Sequence, residues 1–115
     1  MEIFIDPNTI AELKSTVGVD FIGELIDAYL EETPRLIADL RQSLASQDAP
    51  TFGRNAHSIK SSSASLGALS FASLAKELEM MGKAGDLAGV EARVERLAED
   101  YVKVEHALKE LKDES

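Results

Sequence analysis

From Ile10 onward, apolar residues recur at spacings of three and four, the period of helices that each bury one face. Asp6 followed by Pro7 reads as an N-cap with proline at the first helical position, and Gly18 closes a short helix containing Ile10, Leu13 and Val17. From Asp20 to about residue 47 the residues Ile22, Ile26, Tyr29, Leu36, Leu40 and Leu44, with Leu25 and Ile37 beside them, predict a long second helix. Pro34 inside it removes one backbone hydrogen bond and presses on the preceding turn, so a bend near Leu30 is expected rather than an end. Asp48 caps a third helix with Pro50 near its start, which runs to about Ser65 and is broken at Gly67. A fourth spans Leu69 to about Met81, after which "GKAGD" reads as a turn whose aspartate caps a new helix. In the fifth, Val90, Val94, Leu97, Tyr101, Val104, Leu108 and Leu111 form an unbroken seam that wants partner helices.

Four substantial helices on short loops, with a short one in front, make an all-α protein: an antiparallel up-down four-helix bundle with an additional N-terminal helix. At 115 residues the chain fits one domain, with residues 112 to 115 expected to fray. Met80 and Met81 are expected to fill core gaps. A monomer is expected; a dimer sharing the apolar stripes is the alternative.

Composition removes several classes of function. Twelve basic residues are scattered among twenty-one acidic ones, for a net charge of −9, so neither nucleic acid nor an anionic membrane surface is an expected partner. No apolar run approaches the roughly 18 residues of a spanning helix, and "MEIFIDPNTI" lacks the basic n-region and long apolar core of a signal peptide. The absence of cysteine excludes disulfides, thiolate nucleophiles and cysteine metal sites, and fits a cytoplasmic setting.

The most informative residue is His57, in "RNAHSIKSSSASLGALS". With about 100° per residue, Phe52, Ala56, Ile59, Ser63 and Leu66 fall within about 40° of one direction, and His57 lies about 140° away. It is therefore expected to face solvent. Its helical neighbours are Gly53, Lys60, Ser61 and Ala64, all small except the lysine. A bare patch of this kind costs helix propensity and leaves the imidazole open to something large. Small residues also suit close packing of two helices, and the residues alone leave both readings open.

A solvent-facing imidazole, with a reference pKa of about 6.5, is largely neutral near pH 7 and keeps one free lone pair, which suits a nucleophile. Lys60, one turn along, disfavours the imidazolium and can neutralise an anionic group attached to the ring; otherwise it is a solvated surface lysine. Ser61 can donate a hydrogen bond.

The stretch "AHSIKSSSASLGA" resembles the signature of histidine-containing phosphotransfer (HPt) domains of bacterial multistep phosphorelays, approximately Ala-His-x-Leu/Ile-Lys-Gly-small-small-x-x-Leu/Val-Gly-Ala followed by a Leu-x-x-Leu helix. Ala56, His57, Ile59, Lys60, Leu66, Gly67 and Ala68 fall on it, with Leu74, Leu78 and Glu79 downstream. "FIGELIDAYLEETPRLIADLRQSL" looks like the family's long second helix, and the resemblance extends over roughly residues 5 to 110. Ser61 stands where the family usually has glycine. The resemblance implies that His57 is phosphorylated by the aspartyl phosphate of one receiver domain and passes the group to the aspartate of another. It implies that Lys60 steadies the phosphoryl group and that Glu79 orients the imidazole. The docking surface is expected around Gly53, Ser61, Ala64, Gly67 and Ala68. Partners would be response-regulator receiver domains and a hybrid sensor histidine kinase. No cofactor is expected, Mg²⁺ belonging to the receiver, and no kinase or hydrolase activity of the chain's own.

Two other readings compete. A helical adaptor would use the small patch around His57 only to bind a partner, which explains the patch but not Lys60. A carboxylate-bridged metal site would need Glu-x-x-His on paired helices, and neither histidine has a glutamate three residues before it. His106 lies off the apolar seam and reads as a surface residue.

Overall fold

The computed structural model describes residues 5–113 and is helical throughout, with no strand among them. The elements are α1 (Pro7–Val17), α2 (Val19–Ala45), α3 (Ala49–Ser65), α4 (Leu69–Ala84) and α5 (Glu91–Asp113). The first and third start as their caps dictate. The Asp6 carboxylate accepts from the Thr9 amide at 3.2 Å and that of Asp48 from the Thr51 amide at 3.2 Å, satisfying amides that a helix start leaves without partners.

Side-chain pairs between helices give the direction of each. Arg41 meets Glu95 at 3.1 Å and Asp27 meets Lys112 at 2.6 Å, so α2 and α5 run antiparallel. His57 opposite Glu79 and Gly53 against Gly82 set α3 antiparallel to α4. α1 lies against α2 as the additional N-terminal helix.

The seams predicted from spacing meet in the middle. Ile22, Ile26 and Leu40 of α2, Phe52 and Ile59 of α3, Phe71 and Leu78 of α4, and Val94, Leu97 and Leu108 of α5 are essentially solvent-free. Each such side chain stabilises the fold by roughly 1.5–3 kcal/mol relative to exposure. Two hydroxyls inside this core satisfy each other, Tyr29 Oη and Ser63 Oγ lying 2.7 Å apart; burial pushes the Tyr29 phenol up to about 12.

Pro34 does not end α2. The Leu30 carbonyl, which loses its intrahelical donor to the proline, accepts instead from the Tyr101 hydroxyl of α5 at 3.4 Å. The tyrosine ring packs beside Tyr29 and Phe71, with centroids 6.3 and 6.1 Å away.

Three expectations about the ends of elements need correction. α4 runs past Met81 to Ala84, straight through Gly82, and stops at Gly85, which takes the left-handed conformation (φ 71°) that glycine adopts without penalty. Asp86 does not cap α5: its carboxylate accepts from the Ala88 amide at 3.2 Å to close a turn, and the helix begins at Glu91. Lys112 and Asp113 are still helical, while the remainder of the expected frayed tail, 114–115, lies outside the described residues. Met80 is 60% exposed rather than core, because Leu78, Glu79 and Gly82 take the inward positions of α4; Met81 packs at the core's edge.

Candidate functional site

The site begins with how closely two helices approach. A Cβ on Gly82 would stand 2.6 Å from Gly53 Cα and 2.7 Å from Gly53 N, distances no side chain tolerates, so only glycine lets α4 cross α3 here. One turn earlier on α4, Glu79 reaches across to α3 and is buried, with 4% of its side chain exposed.

Three cationic or donor groups converge on that carboxylate. Lys60 Nζ donates to Oε1 at 2.7 Å, His57 Nδ1 lies 2.8 Å from Oε2, and Lys83 Nζ lies 3.1 Å from the same Oε2. The Lys60 hydrogen bond is the main cause that holds the Glu79 carboxyl at about 2, below its ordinary 4.5; burial opposes this, and the His57 and Lys83 contacts assist. Glu79 is therefore a carboxylate at neutral pH, able only to accept, so the proton between it and the imidazole belongs to Nδ1. That tautomer leaves the lone pair on Nε2, which has no hydrogen-bond partner among the described residues. The imidazole is 57% exposed, and its outer edge faces away from the carboxylate.

Beside the ring lies an open cleft of about 370 Å³, floored by Gly53 and Gly82 and bordered by Arg54, His57, Glu79 and Lys83. Lys60 does not border it, since it approaches Glu79 from the other side, one turn further along α3.

The sequence matches the Hpt domain family model over residues 24–114, most of the chain. The chain belongs to the Hpt domain family. Its class of activity is accordingly histidine phosphotransfer in phosphorelays. This Hpt domain is also similar in structure to the histidine-containing phosphotransfer protein B of Pseudomonas aeruginosa PAO1, with a TM-score of 0.90 and 25% identity over 96% of both chains. No match among the curated proteins was found. No described helix of the domain is long and apolar enough to cross a membrane.

Of the residues singled out by sequence, the Hpt domain brings His57, Lys60 and Glu79 into one hydrogen-bonded group. Ser61 is exposed and Ala64 partly so, C-terminal to the ring, and Gly53, although buried between the helices, forms part of the cleft floor. Gly67 and Ala68 are not docking surface. Gly67 is packed beneath the start of α1, whose Asp6 amide donates to its carbonyl at 2.9 Å, and Ala68 is fully buried. Lys83 and Arg54 were missed by the sequence reading. Their signals were present: a lysine four residues after Glu79 on one helix, and an arginine three before His57 on the other, both at spacings that share a face.

Proposed function

We propose that this Hpt domain carries a phosphoryl group on His57 Nε2, taking it from the aspartyl phosphate of one response-regulator receiver domain and delivering it to the aspartate of another. The observation that carries this reading is a ring with one nitrogen bonded to a buried, ionised carboxylate and the other open to a large partner.

The transfer balances without a base. The Nε2 lone pair forms the N–P bond as the P–O bond to the aspartyl carboxylate breaks, and that carboxylate leaves as an anion. Nδ1 keeps its proton throughout. The positive charge that appears on the ring is met by Glu79 at 2.8 Å. In the second half the receiver's aspartate attacks phosphorus, the N–P bond breaks, and the imidazole returns to its starting tautomer. Neither half-reaction moves a proton on or off the chain. Lys60 serves twice, holding Glu79 against the ring and adding positive charge one turn from the incoming phosphoryl group.

The receiver approaches over His57 and the short side chains of Ser61 and Ala64, with Lys60, Arg54 and Lys83 at the rim of the ring. Mg²⁺ and the acidic pocket that activates the phosphoryl group belong to the receiver, including the receiver domain of a hybrid sensor kinase where that is the donor. The working form is a monomer, since one face must serve successive partners.

Incubation with a phosphorylated receiver tests this reading. Label stable to base and labile to acid is expected on the wild type and absent from His57→Gln. Equal binding of the receiver by both proteins, with label in neither, would replace the relay with the adaptor.

A further inference from the structure

The bond to Glu79 fixes how the ring of His57 is turned. Nδ1 looks toward α4, so Nε2 lies on the opposite edge, away from that helix. Around α3, at about 100° per residue, Gly53 and Lys60 stand about 40° and 60° to one side of His57, the side packed against α4. Ser61 stands about 40° to the other side, one turn along and about 6 Å further up the axis. Of the two short side chains over which a receiver approaches, Ser61 and Ala64, only Ser61 carries a hydrogen-bond donor.

That hydroxyl is uncommitted. A helical serine can turn back onto the carbonyl four residues earlier, as Ser62 does onto Ser58 at 2.9 Å and Ser65 onto Ser61 at 3.0 Å. For Ser61 the carbonyl would be that of His57 itself, and its hydroxyl has neither this partner nor another among the described residues. Serine also costs helix propensity relative to alanine, here at an exposed position and with no bond in return. Side chains on an α-helix lean toward its N-terminus, so the hydroxyl is carried from Ser61 back toward the turn of His57.

We infer that the Ser61 hydroxyl donates a hydrogen bond to a phosphoryl oxygen on His57 Nε2 and keeps it while the group is in transit between ring and receiver. The inference rests on the proposed phosphorylation of His57 and adds a neutral donor on the side of the ring where the receiver lands. The N–P and P–O bonds carry the phosphoryl oxygens two bonds beyond Nε2, out over the turn that separates His57 from Ser61. A hydroxyl that donates to an anion makes a charge-assisted hydrogen bond, yet it brings no charge of its own. Ser61 therefore orients the group without the added attraction of another cation, as suits a group that is handed on. It makes and breaks no bond to phosphorus, and Glu79 stays bonded to Nδ1 throughout.

The test phosphorylates the whole domain with phosphoramidate, from which ammonia leaves as the N–P bond to Nε2 forms, and follows the ³¹P signal against pH. Assignment to His57 comes from loss of the signal in His57→Gln and its retention in His106→Gln. A donated hydrogen bond favours the doubly ionised phosphoryl group, so Ser61→Ala and Ser61→Gly are each expected to raise the midpoint of its titration by about 0.3 pH unit. Ser61→Thr, which returns the hydroxyl, is expected to keep the wild-type midpoint. The charged groups around the ring, Arg54 and Lys60 of α3 with Glu79 and Lys83 of α4, are the same in all four proteins. Transfer to a saturating receiver is expected to slow by about fivefold in Ser61→Ala, with affinity for the unphosphorylated receiver unchanged. Wild-type midpoints and rates in both Ser61→Ala and Ser61→Gly, with His57 phosphorylated, would overturn the inference and leave the relay standing. So would a faster Ser61→Gly beside an unchanged Ser61→Ala, which would mean that the residue acts by bulk alone. No phosphoryl signal on His57 in the wild type would remove both.

Discussion

His57 and His106 each lie within hydrogen-bonding reach of a glutamate, at 2.8 Å from Glu79 and 3.1 Å from Glu110. His106 and Glu110 are one turn apart on α5 and both in water, with 77% and 66% of their side chains exposed. His57 and Glu79 come from two helices, and the glutamate is 96% shielded while the ring is not. An exposed pair of this kind is screened and worth at most a few tenths of a kcal/mol, and either side chain can turn away. At His57 the carboxylate is held by Lys60 and Lys83 as well, so it stays ionised and oriented whatever the ring does. The contrast teaches that the reactive property is supplied less by the histidine than by a glutamate that cannot leave.

The largest effect on this contrast is expected from Gly82→Ala. The added methyl would meet Gly53 backbone at 2.6 Å and force α4 away from α3. Denaturation should show a loss of about 1–3 kcal/mol, and phosphoryl transfer should fall by about ten- to a hundredfold as Glu79 withdraws from the ring. Gly53→Ala is the control: its Cβ meets nothing closer than 3.6 Å, so stability should change by less than about 1 kcal/mol.

Next in size is Glu79→Gln, which keeps the shape and removes the charge. Transfer through His57 should slow by about tenfold, since the positive ring of the intermediate loses its counter-charge. The variant should also change the acid response. In the folded domain Glu79 titrates at about 2 against an ordinary 4.5, so as pH falls the unfolded chain takes up the proton first. Its contribution to stability is complete above about 4.5 and is lost as pH falls toward about 2. Urea unfolding across that window should lose stability more steeply in the wild type than in Glu79→Gln.

Tyr101→Phe keeps the ring stack and removes the donor to the Leu30 carbonyl, for about 1 kcal/mol or less in thermal or urea unfolding. Smallest of all, His106→Gln should alter stability by under about 0.5 kcal/mol and leave labelling of His57 untouched. A larger effect there would mean that the exposed pair is more than a solvated contact.

Much of the architecture was readable because local chemistry announces it. Asp6, Pro7 and Gly18 delimit α1 as their types demand, and the seam from Val90 to Leu108 is buried as its spacing requires. The outward direction of His57 followed from the apolar positions around it. What could not be read was set by contacts distant in sequence. Gly82 looks like a turn residue in "GKAGD", and only the approach of Gly53 shows it to be the crossing point of two helices. Gly67 and Ala68 look like part of a bare surface, because nothing local reveals that the start of α1 lies across the corner they form. Lys60 was legible as a neighbour of His57 by spacing, whereas its commitment to Glu79 depends on a different helix.

The bond from Tyr101 to Leu30 spans 71 positions of sequence. A break in the ladder of one helix is thus mended by a hydroxyl that arrives only when the last helix has come home. Neither half of the molecule is finished without the other, so the protein should melt as one body, and a truncation before Tyr101 should loosen the middle of the longest helix along with the end that was cut.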